Sequence, residues 1–246
     1  VKTFSKKPRR LLKLGARRPA KAAAFLLLCL VALPAHAYVA GRFYTRGPAT
    51  ERQIALTFDD GPGPITPALL ELLKKHNARA TFFMEGTQIE RYSKIVRLVR
   101  DAGHEIGNHT YVHFNYRNSK HGSPARLVHE LKQAENSLRR ALKDPGFRTR
   151  VVRMPYGYFN RTWLLPTLKA EGYALVHWSY VHEKPGEPPE IAAQFYIDHA
   201  KPGAIFLFHD GGRRRERMLS TVTLILEALD KQGYRFVASE DMFKGR

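Results

Sequence analysis

Thiol chemistry is almost missing from this sequence: of 246 residues only Cys29 is a cysteine. A disulfide framework is excluded, as are zinc sites built on paired thiolates, so any metal in the folded chain must be held by histidine and carboxylate. No internal repeat, low-complexity tract or interdomain linker interrupts the chain, which leaves a single domain long enough to bury a substantial core. Acidic residues are missing from the opening. Residues 1–37 carry nine Lys or Arg and no Asp or Glu, then an apolar run from Ala22 to Leu33, then Ala35-His36-Ala37 in a small-x-small pattern. This predicts a signal peptide over 1–37, cleavage before Tyr38 and an exported, periplasmic or secreted, product. Residues 38–50 then form a lead-in and 51–246 the folded domain. The alternative is an uncleaved membrane anchor, which the long basic segment keeps open. Arg9-Arg10 followed by "LLK" resembles part of a twin-arginine signal.

Acids are outnumbered overall, 22 against 41 Lys and Arg, for a formal charge of +19. Without the nine cations of the opening about +10 remains, which favours anionic surroundings such as cell-wall polymers or lipid headgroups. Nucleic acid is excluded as a partner: the cations are scattered, no nucleic-acid motif is present and the chain is read as exported. Arg213-Arg214-Arg215 alone reads as a solvated loop.

What is present beyond residue 50 is alternation. Short runs rich in branched and aromatic residues fall at 54–58, 80–84, 104–108, 151–154, 173–178, 204–209 and 235–238. Between them, helical periodicity predicts helices over 66–75, 88–101, 123–143, 161–171, 189–200 and 217–232. Leu69, Leu72 and Leu73 share one helical face, as do Ile95, Leu98 and Val99. Regular strand-helix alternation predicts an α/β fold, a distorted or incomplete (β/α) barrel of about seven parallel strands.

The first run continues as "LTFDDGP" (56–62), with Asp59 beside Asp60. Neighbouring carboxylates raise each other's cost of ionising, so a positive group is expected nearby. Alone, the pair reads as a solvated turn capping the next helix. The other polar clusters, "NHTYVH", "RMPYG", Trp178 and "HD", also follow strands, and barrel enzymes assemble their sites at the carboxyl ends of strands. His109 and His113, four apart, would point the same way on a helical turn and share one metal. Thr110 after His109 argues against the metalloprotease motif, which needs Glu there. Asp60 would complete three ligands with a position open for water, leaving Asp59 free as a base.

The motifs "TFDDGP", "HTYVH", "RMPYG" and "FLFHD", in this order, resemble the polysaccharide deacetylase family with a NodB-type catalytic domain, carbohydrate esterase family 4, over about residues 50 to 240. The resemblance implies Asp59 as general base, Asp60, His109 and His113 as ligands of a divalent metal such as zinc, and Arg153 as the partner that holds the base. It implies a backbone N–H of Tyr156 at the oxyanion site and His209 as the acid that protonates the departing amine. Trp178, Tyr156 and Tyr158 are candidates for an apolar wall against a sugar ring, with plain packing as the alternative. His104 reads as a strand-start residue bonded to backbone, and Phe82 and Phe83 as core. One departure stands out. Where the family has WxxDxxDW, this chain has "HWSYVHEKPGE", with Val181 and Lys184 at the acidic places. His209 is then expected to lack its orienting carboxylate and to lose its proton at lower pH, with Glu183 and His182 as nearby replacements.

The resemblance implies a hydrolase that removes N-acetyl groups from an N-acetylglucosamine-containing polysaccharide: peptidoglycan, a chitin oligomer or poly-N-acetylglucosamine. Alternatives are an acetyl-xylan-type esterase, a hydrolase of non-sugar C–N bonds, and a catalytically impaired glycan-binding protein. The signal reading has its own test. Protein recovered from its native compartment should begin at or near Tyr38 on N-terminal sequencing, whereas a full-length form confined to membranes would favour the anchor.

Overall fold

The computed structural model describes residues 1–3, 38–117, 122–212 and 215–244. The predicted signal segment, with Cys29, lies outside the described residues apart from its first three, as do Arg213 and Arg214. Among the described residues, no helix is long and apolar enough to cross a membrane.

Nine strands form one curled, parallel sheet. They are β1 (Phe43–Tyr44), β2 (Gln53–Gly61), β3 (Thr81–Met84), β4 (Glu105–Asn108), β5 (Val151–Val152), β6 (Ala174–Val176), β7 (Tyr180–Val181), β8 (Ala204–His209) and β9 (Arg235–Val237). The spatial order is β1-β6-β5-β4-β3-β2-β8-β7. β2 is the hub. One edge pairs with β8, and the other is shared end to end, β9 along Gln53–Ala55 and β3 along Thr57–Gly61. Between the strands run α1 (Thr66–Lys75), α2 (Gly86–Arg91), α3 (Ser93–Asp101), α4 (Pro124–Leu142), α5 (Leu164–Ala170), α6 (Pro189–Asp198), α7 (Glu216–Lys231) and α8 (Ser239–Phe243).

The two-residue period of a strand sorts the core into layers. Ile54, Leu56 and Phe58 of β2 join Phe82, Met84, Phe206 and Phe208 in the layer under the helices. The alternate residues face the barrel interior, where Ala55 meets Phe83, Val151, Val176 and Ile205. Phe58 stacks between Phe82 and Phe208, with centroids 5.1 and 5.7 Å away. Burying one such ring contributes about 2–3 kcal/mol. α4 is started by Ser123, whose Oγ accepts the Arg126 N–H, and by Pro124, which has no N–H to leave unsatisfied.

The alternation predicted from sequence is present, with three differences. The lead-in is part of the sheet, because β1 pairs with β6, and β7 adds a further short strand beside β8. The helix expected over 88–101 breaks at Tyr92, whose backbone is non-helical, into α2 and α3. The break re-phases the second piece, so Val96 and Val99 are buried while Leu98 is exposed.

The floor of the barrel is polar. Glu105, buried at the start of β4, accepts hydrogen bonds from Tyr38 (2.8 Å), Thr81 (2.7 Å), Ser239 (2.9 Å) and the Glu240 N–H (3.0 Å). Burial pushes its pKa up, and these donors oppose that. Tyr38→Phe removes one donor from a buried acceptor and should lower unfolding free energy by ~1–2 kcal/mol. Urea denaturation should show this as a lower midpoint at unchanged slope.

Candidate active site

β2 delivers both aspartates to the rim. Asp59 follows the interior alternation and is buried, whereas the next residue of a regular strand would face the helices. Asp60 escapes that fate because its φ is 66° and the register with β3 slips between Asp59 and Gly61. The tightness of this turn sets its neighbours. A Cβ on Gly211 would lie 2.0 Å from the Asp60 carbonyl oxygen, so only glycine permits the approach.

The positive group expected beside the pair is Arg153, at the end of β5 and fully buried. Its Nη1 donates to Asp59 Oδ1 (2.8 Å) and Thr57 Oγ1 (2.7 Å), Nε to the Val176 carbonyl (3.1 Å) and Nη2 to the His177 carbonyl (2.6 Å). The guanidinium lies 4.2 Å from the centre of the Phe83 ring. Burial pulls the Arg153 pKa down, and the Asp59 charge opposes this.

Asp60, His109 and His113 bring one ligand atom each to within 4.8 Å of the others. Asp60 Oδ1 lies 3.3 Å from His109 Nε2 and 3.2 Å from His113 Nε2. The predicted helical turn is absent. Residues 109–113 form an irregular loop with positive φ at Thr110 (66°) and His113 (51°), so the imidazoles converge through loop shape and not helical spacing. That shape is held from outside. Asn108 Oδ1 accepts the Thr110 N–H, and Glu130 of α4 accepts the N–H groups of Tyr111 and Val112.

His109 Nδ1 donates to the Arg153 carbonyl at 2.8 Å, which leaves Nε2 with its lone pair facing Asp60. Asp60 Oδ1 is buried and receives no hydrogen bond. An unsatisfied carboxylate oxygen between two imidazole nitrogens is the donor set of a divalent cation with a coordination position left over. Burial raises the Asp60 pKa, but the contacts with both histidines outweigh it and hold the carboxyl well below the usual range.

His209 does not lack a carboxylate. Its Nδ1 pairs with Glu183 Oε2, and its backbone N–H donates to Glu183 Oε1 at 3.2 Å. Burial lowers the His209 pKa, yet the Glu183 hydrogen bond and charge carry it up to about 9, the opposite of the expected direction. The reason is register: Tyr180 and Val181 pair with Phe206 and Leu207, and continuing that ladder puts residue 183 beside 209. The loop is pinned by the His182 N–H on Tyr196 Oη (2.8 Å) and by His182 Nε2 on Glu187 (2.6 Å). Lys184 and Val181 are exposed.

The aromatic candidates separate. Tyr156, in the left-handed region at φ 57°, is half exposed and its ring lies 4.6 Å from that of His113. Trp178 stacks on His177 (3.7 Å), so one ring face is covered, and Gly157 sits against its edge. Tyr158 is buried against Tyr116 and belongs to the core, not to a wall. His104 accepts the Ala80 N–H through Nδ1, and Phe82 and Phe83 are buried, as read from sequence.

Asp210 was passed over in the sequence although it ends "FLFHD". It is buried, accepts the Thr66 hydroxyl at 2.5 Å and donates its N–H to the Asp59 carbonyl, tying the end of β8 to the aspartate turn. Burial raises its pKa to about 7.

Residues 46–176 match the family profile of polysaccharide deacetylase. A peptidoglycan-N-acetylglucosamine deacetylase of Bacillus cereus is 38% identical over 80% of this chain and 91% of its own length. A chitooligosaccharide deacetylase of a Bradyrhizobium species is 32% identical over 74% of this chain and 87% of its own. Among solved structures, the Bc1960 peptidoglycan N-acetylglucosamine deacetylase superposes with a TM-score of 0.74 at 30% identity, covering 82% of this chain and 92% of that one. The profile spans more than half of the chain, and the relatives and the solved structure cover most of it: the chain belongs to the polysaccharide deacetylase family.

Proposed function

We propose that this chain is an exported, metal-dependent hydrolase that releases acetate from N-acetylglucosamine units of a polysaccharide, leaving a free amine. The observation that carries the reading is the convergence on one rim of an Asp60-His109-His113 donor set, an arginine-bound Asp59 and a carboxylate-bound His209. The names of the relatives, peptidoglycan and chitooligosaccharide deacetylases, support the substrate class. Export is supported by the basic and apolar opening of the sequence.

An acetamide is a poor electrophile and its nitrogen a poor leaving group, so hydrolysis needs an activated carbonyl, an activated water and a proton for the nitrogen. Asp60, His109 and His113 would hold a divalent cation, zinc by its fit to two imidazoles and a carboxylate, and such an ion would supply Lewis acidity and a more acidic water. Arg153 engages Asp59 Oδ1, which fixes the carboxylate and leaves Oδ2, 3.9 Å from His109 Nε2, to take the proton from water. The Tyr156 amide, on the rim beside His113, is assigned to the developing oxyanion. With its pKa near 9, His209 is protonated at neutral pH and gives that proton to the nitrogen as the C–N bond breaks. Glu183 also removes the ground for an impaired glycan-binding protein, because the acid has its orienting partner. A strongly protonated acid favours amide over ester cleavage, since an alkoxide needs a proton less than an amide nitrogen does.

Asp59→Asn should keep close to one bound divalent ion yet lose turnover by roughly a hundredfold or more, because the amide cannot accept a proton. Asp60→Asn should instead lose the ion. Elemental analysis beside acetate release separates the two, and the reverse pattern would exchange their roles. Chelation should abolish acetate release from peptidoglycan or chitin oligomers, and added zinc should restore it.

The pH profile gives a second test. His209 has a raised pKa, so the acid form is present below it and is lost as pH rises through it. Glu183→Gln should bring the alkaline limb of activity down by about one pH unit or more, while Lys184→Asp should leave it in place. An unmoved limb in Glu183→Gln would remove His209 as the titrating acid.

A further inference from the structure

We propose that Tyr196, His182 and Glu187 are positioning residues of the reaction, which hold Glu183 against His209 by a device built from α6 and the loop after β7. This rests on the deacetylase reading and deepens it, for a chain in which Val181 and Lys184 stand at the acidic places of the motif.

β7 is two residues long, and its last residue, Val181, pairs with Leu207. Glu183 lies two residues past that pair and has to meet a ring two residues past Leu207. The Tyr196 hydroxyl carries the register across this interval. It accepts the His182 N–H and donates to the Leu207 carbonyl, each at 2.8 Å. One hydroxyl therefore ties the residue before Glu183 to the strand that ends in His209. The hydroxyl is itself fixed, because Tyr196 is fully buried on α6 with its ring 5.0 Å from that of Phe206 and 4.7 Å from that of Phe208.

The His182 side chain adds a second hold. Its ring stacks on Phe195, with centroids 4.4 Å apart and planes 20° apart, and its Nε2 lies 2.6 Å from Glu187 Oε2. The Glu187 N–H donates to the Lys184 carbonyl at 3.2 Å, which closes 184–187 into a turn. Glu183 is thus held on both sides, and its carboxylate meets His209 at two points, the ring nitrogen and the backbone N–H. A general acid works only where its proton lies on the path to the departing atom, so a partner fixed at two points sets direction as well as charge. The three residues act through Glu183.

A change of leaving group tests this. In amide cleavage the C–O bond forms as water gives a proton to Asp59, and the C–N bond breaks as its electron pair and the His209 proton go to nitrogen. With 4-nitrophenyl acetate the first step is the same, but the phenolate leaves with the electron pair and needs no proton. The measurement is kcat/KM of one zinc-loaded preparation on an N-acetylglucosamine tetramer and on 4-nitrophenyl acetate, taken as a ratio. Tyr196→Phe and His182→Phe keep an aromatic ring in place and remove the polar contacts. Each should lower the amide-to-ester ratio by about tenfold, a part of the hundredfold or more that a general acid supplies. In a Glu183→Gln background, Tyr196→Phe should lower the ratio by less than about twofold, because the residue it acts through has been changed already. Any loss of folded or metal-loaded enzyme enters both rates and cancels.

A ratio that neither Phe variant moves, whether the two rates fall together or stay, overturns the proposal and leaves the deacetylase reading intact. A full tenfold loss from Tyr196→Phe in the Glu183→Gln background overturns it as well, since the tyrosine would then act by another route. If the wild-type enzyme cleaves the ester but releases no acetate from the tetramer or from peptidoglycan, the deacetylase reading falls and the proposal falls with it.

Discussion

The bond between Arg153 and Asp59 organises this end of the barrel. A guanidinium with no exposure to water has lost its hydration, and it recovers that loss through one carboxylate, one hydroxyl and two backbone carbonyls. Those acceptors belong to β2, to the end of β6 and to the residue after it, so a single side chain fixes how three strands approach one another. Its own carbonyl takes the His109 N–H, which extends the same constraint to the tautomer of an imidazole on the loop after β4. The ring of Phe83 beneath it keeps the arrangement dry.

Two adjacent carboxylates coexist here because the backbone separates their surroundings. Asp59 continues the strand into the interior and meets a fixed cation, while Asp60 turns through a left-handed residue and meets two imidazoles. Like charges one residue apart are thereby given different counter-charges. The close packing of Gly211 and Asp210 over this turn leaves it no room to relax into a regular strand.

Much of the barrel was legible because its long strands announce themselves. "IALTF" is an apolar run followed by Asp59 and "AIFLFH" one that ends in His209, and they became the two longest strands, β2 and β8. What escaped was short or non-local. A two-residue strand such as Tyr180–Val181 has no period to detect, yet its ladder with β8 is what places Glu183 beside His209. Counting along a motif therefore put the orienting acid at the wrong position, although the residue was present one place away. The helical reading of His109 and His113 failed for a related reason. Spacing of four is shared by helices and loops, and the choice was made by Asn108 and by Glu130, 17 residues beyond His113. Asp210 carried no signal beyond its adjacency to a histidine, because its partner Thr66 is 144 residues away.

The polar floor of the barrel bears on the order in which the molecule can be made. Tyr38 and Ser239 both lie within hydrogen-bond reach of Glu105 and of each other, and they are 201 residues apart. A ribosome delivers a chain from its first residues onward. Until residue 239 emerges, Glu105 and Tyr38 lack one of their neighbours and the interior stays open from below. Contacts of such separation are slow to form and late to be rewarded. Vectorial synthesis thus leaves the floor of the barrel without its last hydrogen-bonding neighbour until residue 239 has been added.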